Sequence, residues 1–274
     1  EFRRVLFRSS ARLSLIQEHS APWPKLREIK ERLRTEYQRQ LVAGPTEPHN
    51  PNNAGVGAIA RSHDTLFEFA PVTPNFAKIR EAGRAIHLGF GLGKHGRIVS
   101  FFNLYGHSGG ASDPQKAKCT SLILQACLQE MHHFTELPHF LLGDLNGNFT
   151  SFEELGAMVT TMGWRDLNSI ADTWSQPVNR PTCLTALSTQ PTIRSYCLAC
   201  PLALPLVKGF TIIDEDLCPV HSTLRINLDL KVTDTWVHQA LPKRPLSDLL
   251  NDSFQFKYGM GPIKPDIQTF IDEA

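Results

Sequence analysis

A short apolar run that stops at a glycine and two polar residues constrains this 274-residue chain more than any other stretch. The run covers residues 140–142, and Gly143, Asp144 and Asn146 follow it. An apolar run this short, ended by glycine, predicts a buried strand that closes in a sharp turn. Asp144 and Asn146 are two residues apart, so their side chains share one side of an extended backbone. This pair can orient a water molecule and bind a phosphate oxygen, although an Asx turn that merely closes the strand fits the same pattern.

Composition places the chain among globular proteins, with 41% hydrophobic and 20% charged residues. No apolar run is long enough to span a bilayer, so no membrane span is expected. The six cysteines are too sparse for a disulfide scaffold and indicate an intracellular, reducing compartment, for which the nucleus is one candidate. Cys197 and Cys200 have the spacing of half a zinc site, but no second close pair accompanies them. Small buried side chains on a strand therefore explain them better.

The pattern of the chain predicts three segments. Residues 1–10 lack a starting Met and alternate Arg with apolar residues, which indicates an assembly scar or a truncated start. Residues 11–230 carry the strands and helices of one domain. Residues 231–274 lose the apolar rhythm and contain four prolines, so we expect a tail or linker there: Pro242, Pro245, Pro262 and Pro265.

Two amphipathic helices stand out between the predicted strands. The first covers residues 25–39, where apolar residues recur at spacings of three and four. The second begins after Asp113, a good N-cap that precedes Pro114, and continues to about residue 133. Its inner face is predicted from the apolar spacing, with these members: Leu122, Leu124, Cys127 and Leu128.

Three further polar residues lie at predicted strand ends. Glu18 follows the apolar segment 13–16, Tyr105 ends the strand 97–105, and His221 directly precedes the alternating strand 222–230. Each has a simpler explanation: a solvated carboxylate before a helix, a packed rim residue and a solvated loop histidine. Taken in order with Asp144 and Asn146, the five form a series of catalytic residue types at the ends of strands.

This ordered series resembles the endonuclease/exonuclease/phosphatase superfamily, and in particular apurinic endonucleases and the endonucleases of non-LTR retroelements. Five motifs carry the resemblance, and it covers most of the predicted domain. In order, they are Leu-Ile-Gln-Glu at 15–18, Asn-Ala-Gly-Val-Gly-Ala-Ile-Ala at 53–60, Phe-Asn-Leu-Tyr at 102–105, Leu-Gly-Asp-Leu-Asn at 142–146 and Val-His-Ser-Thr-Leu at 220–224. The fourth is the closest match.

The resemblance implies a fold and a mechanism. The fold would be α+β, a four-layer αββα sandwich with two mostly antiparallel sheets packed face to face. Glu18 would bind Mg²⁺, with Mn²⁺ as the alternative ion, and Asp144 would activate the attacking water. Asn146 would hydrogen-bond the phosphate or the water, while Tyr105 and His221 would stabilise negative charge in the transition state.

The sequence departs from the superfamily pattern in three places. The Asn that ends an earlier strand in the superfamily has no counterpart. Val220 stands where the superfamily has an Asp before the histidine. Ser195 stands where a second Asp would orient His221, a role that Asp214 or Asp216 could take over. A serine orients an imidazole but stabilises its charged form less than a carboxylate does.

Three functions remain open at this point. The leading prediction is an Mg²⁺-dependent phosphodiesterase, an endonuclease of the retroelement or apurinic-site type, with DNA as partner and a monomer as the expected state. A catalytically decayed copy that only binds nucleic acid fits the three departures. A hydrolase of small or lipid phosphoesters fits the same scaffold, because fold does not determine substrate.

Overall fold

A computed structural model describes residues 11–46, 54–92, 97–184, 190–214 and 220–230, all within one compact unit. The predictions for residues 1–10 and 231–274 lie outside these residues. The strands are β1 (Leu13–Ile16), β2 (Arg39–Ala43), β3 (Gly57–Arg61), β4 (Thr65–Glu68), β5 (Ala85–Gly91), β6 (Val99–Tyr105), β7 (His139–Asp144), β8 (Arg165–Asp166), β9 (Ser195–Ala199), β10 (Val207–Ile213) and β11 (Thr223–Leu228). The helices are α1 (Trp23–Tyr37), α2 (Pro74–Glu81), α3 (Pro114–Met131) and α4 (Glu153–Thr160), with short 3-10 turns at Phe149–Ser151, Ala171–Trp174 and Leu204–Leu206.

The described strands form three sheets. The largest has six strands in the order β4-β5-β6-β7-β9-β8, and its pairs are antiparallel except β6 with β7, which run parallel. A three-stranded sheet has the order β1-β3-β2, and β10 pairs with β11; every pair in these two is antiparallel. The sheets are therefore mostly antiparallel, as predicted.

The layers follow from the buried residues. The main core joins the six-stranded sheet to residues of the other two sheets, such as Ala58 on β3 and Phe210 on β10. Phe76 of α2, Leu124 of α3 and Leu155 of α4 are buried in this same core, so these three helices pack on the six-stranded sheet. A separate cluster packs α1 against β2 and β3: Ala21, Leu26, Leu33, Leu41 and Ile59. The order helix, sheet, sheet, helix is the predicted α+β sandwich.

Helix α3 shows both the strength and the limit of the sequence pattern. Asp113 caps the helix, since its carboxylate accepts the N–H groups of Gln115 and Lys116. The prediction that Leu122 faces inward is wrong, because 52% of its surface is exposed. Its neighbours on the next positions, Ile123 and Leu124, fill the core instead. Among the helices of the described segments, none has the length and hydropathy of a bilayer span.

Candidate active site

The two parallel strands β6 and β7 end side by side. Tyr105 is the last residue of β6 and pairs with Asp144, the last residue of β7. Strand β9 runs the other way and begins at Ser195, which pairs with Asp144 from the other side. Tyr105, Asp144 and Ser195 therefore lie side by side at one end of the central strands of the six-stranded sheet, and this strand end carries the candidate site.

The turn after β7 holds the Asp144 carboxylate in place. A Cβ at Gly143 would collide with the carbonyl oxygen of Leu104, so only glycine permits this close approach of β6 and β7. The N–H of Asn146 donates to Asp144 Oδ1 at 3.0 Å, which makes an Asx turn. Asn146 has a positive φ of 53°, and its side-chain amide donates to the carbonyl of Gly106 at 3.2 Å. The turn thus closes the strand and also fixes two polar side chains.

Glu18 reaches the same strand ends from the three-stranded sheet. It follows β1, is exposed, and raises the pKa of Tyr105 both by its charge and as a hydrogen-bonding partner. Burial is the larger cause of that rise, so the phenol stays protonated and can donate a hydrogen bond. The Tyr105 hydroxyl also lies 3.0 Å from Ser108 Oγ.

Asn103 ties the end of β1 to the six-stranded sheet. It is fully buried on β6, and its amide donates to the carbonyls of Ile16 and Gly57, each at 2.9 Å. Its side-chain oxygen accepts a 2.5 Å bond from Gln17 Nε2. Because Gln17 directly precedes Glu18, Asn103 sets where Glu18 stands. Asn103 belongs to the sequence motif 102–105, but that motif does not predict a role for it.

His221 approaches Asp144 from the start of β11. Its Nε2 lies 3.6 Å from Asp144 Oδ2, which suits a charge pair but is too long for a hydrogen bond. The buried Nδ1 of His221 has no hydrogen-bond partner among the described residues. Asp214 does not orient it, because that carboxylate binds Arg180 and Ser222; Asp216 lies outside the described residues.

Asp144 has an environment that favours proton uptake. Burial is the largest cause that raises its pKa, and the charge of Glu18 adds to it. His221, the N–H of Asn146 and the charge of Arg194 act in the opposite direction. The net pKa of Asp144 is raised, so the carboxylate is a stronger base than an exposed aspartate. Arg194 is a site residue that sequence reasoning missed, since nothing in its local pattern marks it.

The donor set fits a magnesium ion. Glu18 and Asp144 are two carboxylates whose charges oppose each other, and a bound cation would relieve that repulsion. No group of three His, Cys, Asp or Glu side chains with ligand geometry occurs within the described residues. Mg²⁺ is commonly held by one or two carboxylates, with water and substrate oxygens completing its shell, whereas zinc requires more protein ligands.

Comparison with known proteins supports the fold through structure alone. No family model and no curated protein matches the sequence. A 3'-5' exonuclease (NExo) from Neisseria meningitidis is similar with a TM-score of 0.62 at 13% identity, over 83% of this chain and 93% of that one. An AP endonuclease from Archaeoglobus fulgidus gives 0.59 at 11%, over 80% and 89%.

The endonuclease domain of TRAS1, a telomere-specific non-LTR retrotransposon, gives a TM-score of 0.55 at 15% identity, over 80% of this chain and 86% of that one. The chain therefore has the fold of the endonuclease/exonuclease/phosphatase superfamily, as its motifs predicted.

Proposed function

We propose, with the endonuclease/exonuclease/phosphatase fold as premise, that this protein is a metal-dependent phosphodiester hydrolase that cleaves DNA. One observation carries the proposal. Four ionisable side chains from distant parts of the chain meet where strands β6 and β7 end: Glu18, Tyr105, Asp144 and His221. They comprise a base, a cation ligand, a neutral donor and a group able to carry positive charge. Hydrolysis of an anionic ester needs this combination.

Asp144 is the proposed general base. Its raised pKa favours proton transfer from water, and the N–H of Asn146 fixes its orientation. Glu18 would hold Mg²⁺, which when bound supplies Lewis-acid neutralisation of the phosphate charge. Asn103 would act as a positioning residue, because its bonds to the end of β1 place Glu18 beside Tyr105.

The other three side chains would bind the phosphate. Tyr105 remains protonated, so its hydroxyl can donate to a phosphate oxygen. Asn146 uses one amide hydrogen on the Gly106 carbonyl and keeps the second for substrate or water. Protonated His221 would place positive charge where negative charge grows in the transition state, and its Nε2 lies 3.6 Å from Asp144 Oδ2.

DNA is the proposed substrate class, and an endonuclease of the retroelement or apurinic-site type is the proposed activity. The names of three proteins of the same fold, an exonuclease, an AP endonuclease and a retrotransposon endonuclease domain, support this choice. The Nδ1 of His221 has no hydrogen-bond partner among the described residues. This favours a second candidate, a copy that binds nucleic acid without cleaving it, because a carboxylate at that nitrogen would assist catalysis by orienting the imidazole.

Plasmid nicking in MgCl₂ tests the proposal. We expect Asp144→Asn and His221→Ala each to lower the rate by at least about a hundredfold, the usual contribution of acid–base groups. Asp172→Asn is the matched control, because Asp172 is an exposed aspartate on a 3-10 turn and should retain full activity.

Calorimetric titration of MgCl₂ gives a readout apart from activity. Glu18→Gln should weaken the binding of the ion, while Asp172→Asn should not. Nicking by both Asp144→Asn and His221→Ala at the wild-type rate would disprove the mechanism. A folded wild-type protein that binds a labelled duplex but cleaves neither DNA, a lipid phosphodiester nor a phosphomonoester would establish the noncatalytic alternative.

A further inference from the structure

Arg194 has a fixed backbone position beside the Asp144 turn. Its carbonyl accepts the N–H of Leu145 at 2.9 Å, and its own N–H donates to Thr182 Oγ1 at 2.9 Å. Two residues of separate segments thus hold the peptide from both sides. The half-buried side chain therefore starts from a rigid point one residue before β9.

The guanidinium of Arg194 is held without being neutralised. Its Nη1 donates to the side-chain oxygen of Asn148, a neutral group, at 2.7 Å. In the described part of the chain no carboxylate lies within ion-pair distance of it, whereas Arg12, Arg80 and Arg180 each pair with an acid. An arginine has five N–H donors in a planar fork that matches phosphate. Within the described residues only one of these donors, on Nη1, has a partner.

The charge of Arg194 reaches the proposed site from a separate direction. It counteracts the rise in the pKa of Asp144, so the two groups are within electrostatic range of each other. Tyr105, with Glu18 next to it, lies on the β6 side of Asp144, whereas Arg194 lies on the β9 side. The Arg194 guanidinium is therefore displaced from the position proposed for the reacting phosphate.

We propose that Arg194, steadied by Asn148, binds a phosphate adjacent to the scissile one, and that the substrate is consequently a polynucleotide rather than an isolated phosphoester. This inference rests on the proposed function, because it takes the reacting phosphate to lie at Asp144. A small diester has a single phosphate and cannot reach both positions. A nucleic-acid strand presents a phosphate at every nucleotide.

The test compares two substrates in the full chain. One is a DNA oligonucleotide, and the other is bis(p-nitrophenyl) phosphate, which has one phosphate. Rates are taken at the optimum of each protein's own pH profile, so that a change in the ionisation of Asp144 caused by loss of the Arg194 charge does not enter the comparison. Arg194→Ala should raise KM for DNA about tenfold or more, as loss of a charged hydrogen-bonding partner does. Its kcat/KM for the small diester should stay within about twofold of wild type, since no partner phosphate is present there.

Binding and salt dependence supply independent readouts. In EDTA, the affinity of Arg194→Ala for the labelled oligonucleotide should fall by a similar factor, and the slope of log K against log[salt] should decrease by about one. Arg194→Lys should be intermediate, since lysine keeps the charge and loses the fork. Arg165→Ala is the matched control, because this exposed arginine pairs with Ala199 at the far end of β9 and should behave as wild type.

The outcomes separate this inference from the proposed function. Equal losses on both substrates would overturn the inference, since Arg194 would then act on the reacting phosphate. Unchanged DNA kinetics with an unchanged salt slope would overturn it as well. If the wild-type protein hydrolyses neither substrate, the proposed function fails. If Arg194→Ala in that case still lowers the affinity for the oligonucleotide about tenfold, the phosphate contact at this residue stands.

Discussion

Replacing His87 with phenylalanine should make the folded protein less sensitive to acid. His87 is fully buried on β5, stacked between Phe69 and Phe102 with ring centroids 4.2 and 4.0 Å away. Its Nε2 lies 2.8 Å from Ser100 Oγ, which lies 2.8 Å from His139 Nδ1. His139 Nε2 lies 2.8 Å from the carbonyl of Phe134.

The direction of each hydrogen bond follows from that carbonyl. It can only accept, so the proton of His139 is on Nε2, and Nδ1 accepts from the Ser100 hydroxyl. Ser100 Oγ then accepts from His87 Nε2–H. The buried Nδ1 of His87 remains without a partner among the described residues. Burial lowers the pKa of both His87 and His139, which favours the neutral form of each ring. A proton on Nδ1 would thus put a charge in an aromatic pocket.

The magnitude follows from the pKa of His87, which burial and the neighbouring His139 lower from 6.5 to about 3. Between these values the unfolded chain binds a proton that the folded chain does not, so stability is complete above pH 6.5 and falls as the pH decreases. Each pH unit costs about 1.4 kcal/mol, so roughly 2 kcal/mol is lost at pH 5. Burial also lowers the pKa of His139, so the wild-type protein loses stability in the same direction from both rings.

Urea unfolding at pH 8 and pH 5 measures the effect. At pH 8 His87→Phe should cost about 1 kcal/mol for the lost hydrogen bond to Ser100. At pH 5 this deficit should disappear or reverse, a relative gain of roughly 2 kcal/mol. Leu88→Ala, a substitution at the next buried position of β5, is the control and should cost about 2–5 kcal/mol at both pH values. The same difference between His87→Phe and wild type at both pH values would refute the reasoning.

Two further predictions concern buried carboxylates. Burial raises the pKa of Asp166 from 3.8 to about 6, so the protein loses stability as the pH rises through that window. Asp166→Asn should therefore stabilise the protein by up to about 3 kcal/mol at pH 8, and urea unfolding should show this gain shrinking as the pH falls below 6. Glu130 accepts hydrogen bonds from the N–H groups of Val72 and Thr73 and from the Thr73 hydroxyl. Glu130→Gln turns an amide donor towards these donors and should cost about 2–3 kcal/mol, whereas exposed Gln129→Ala should cost under about 0.5 kcal/mol; equal costs would contradict the buried role.

The sequence predicted well wherever a local signal decides the structure. The apolar run before Gly143 gave β7 because glycine alone permits the approach to Leu104. The start of α3 was predicted because Asp113 and Pro114 act on their own first turn. The polar residues at strand ends are a local signal too, since a strand end can be recognised from its own pattern.

The sequence predicted poorly where distant partners decide the structure. Strand β2 was not predicted. The apolar spacing predicts a helix to residue 39, but Gln38 ends α1 in a left-handed conformation without a glycine, and β2 begins at Arg39. The edge strand β4 has only four residues, and pairing with β5 defines it. The roles of Asn103 and Arg194 depend on contacts across sheets and turns, for which the chain carries no local pattern.

The same two parallel strands carry the acid-sensitive pair and the proposed site. Ser100 pairs with His139 near the start of β6 and β7, and Tyr105 pairs with Asp144 where both strands end. If the proposed function holds, acid should act on activity through two independent routes, by destabilising the fold at one end and by protonating Asp144 at the other. His87→Phe separates them, because it removes only the first. If Asp144 is the base, the acid limb of kcat measured on folded protein should be the same in His87→Phe as in wild type. The variant should at the same time remain folded to a lower pH.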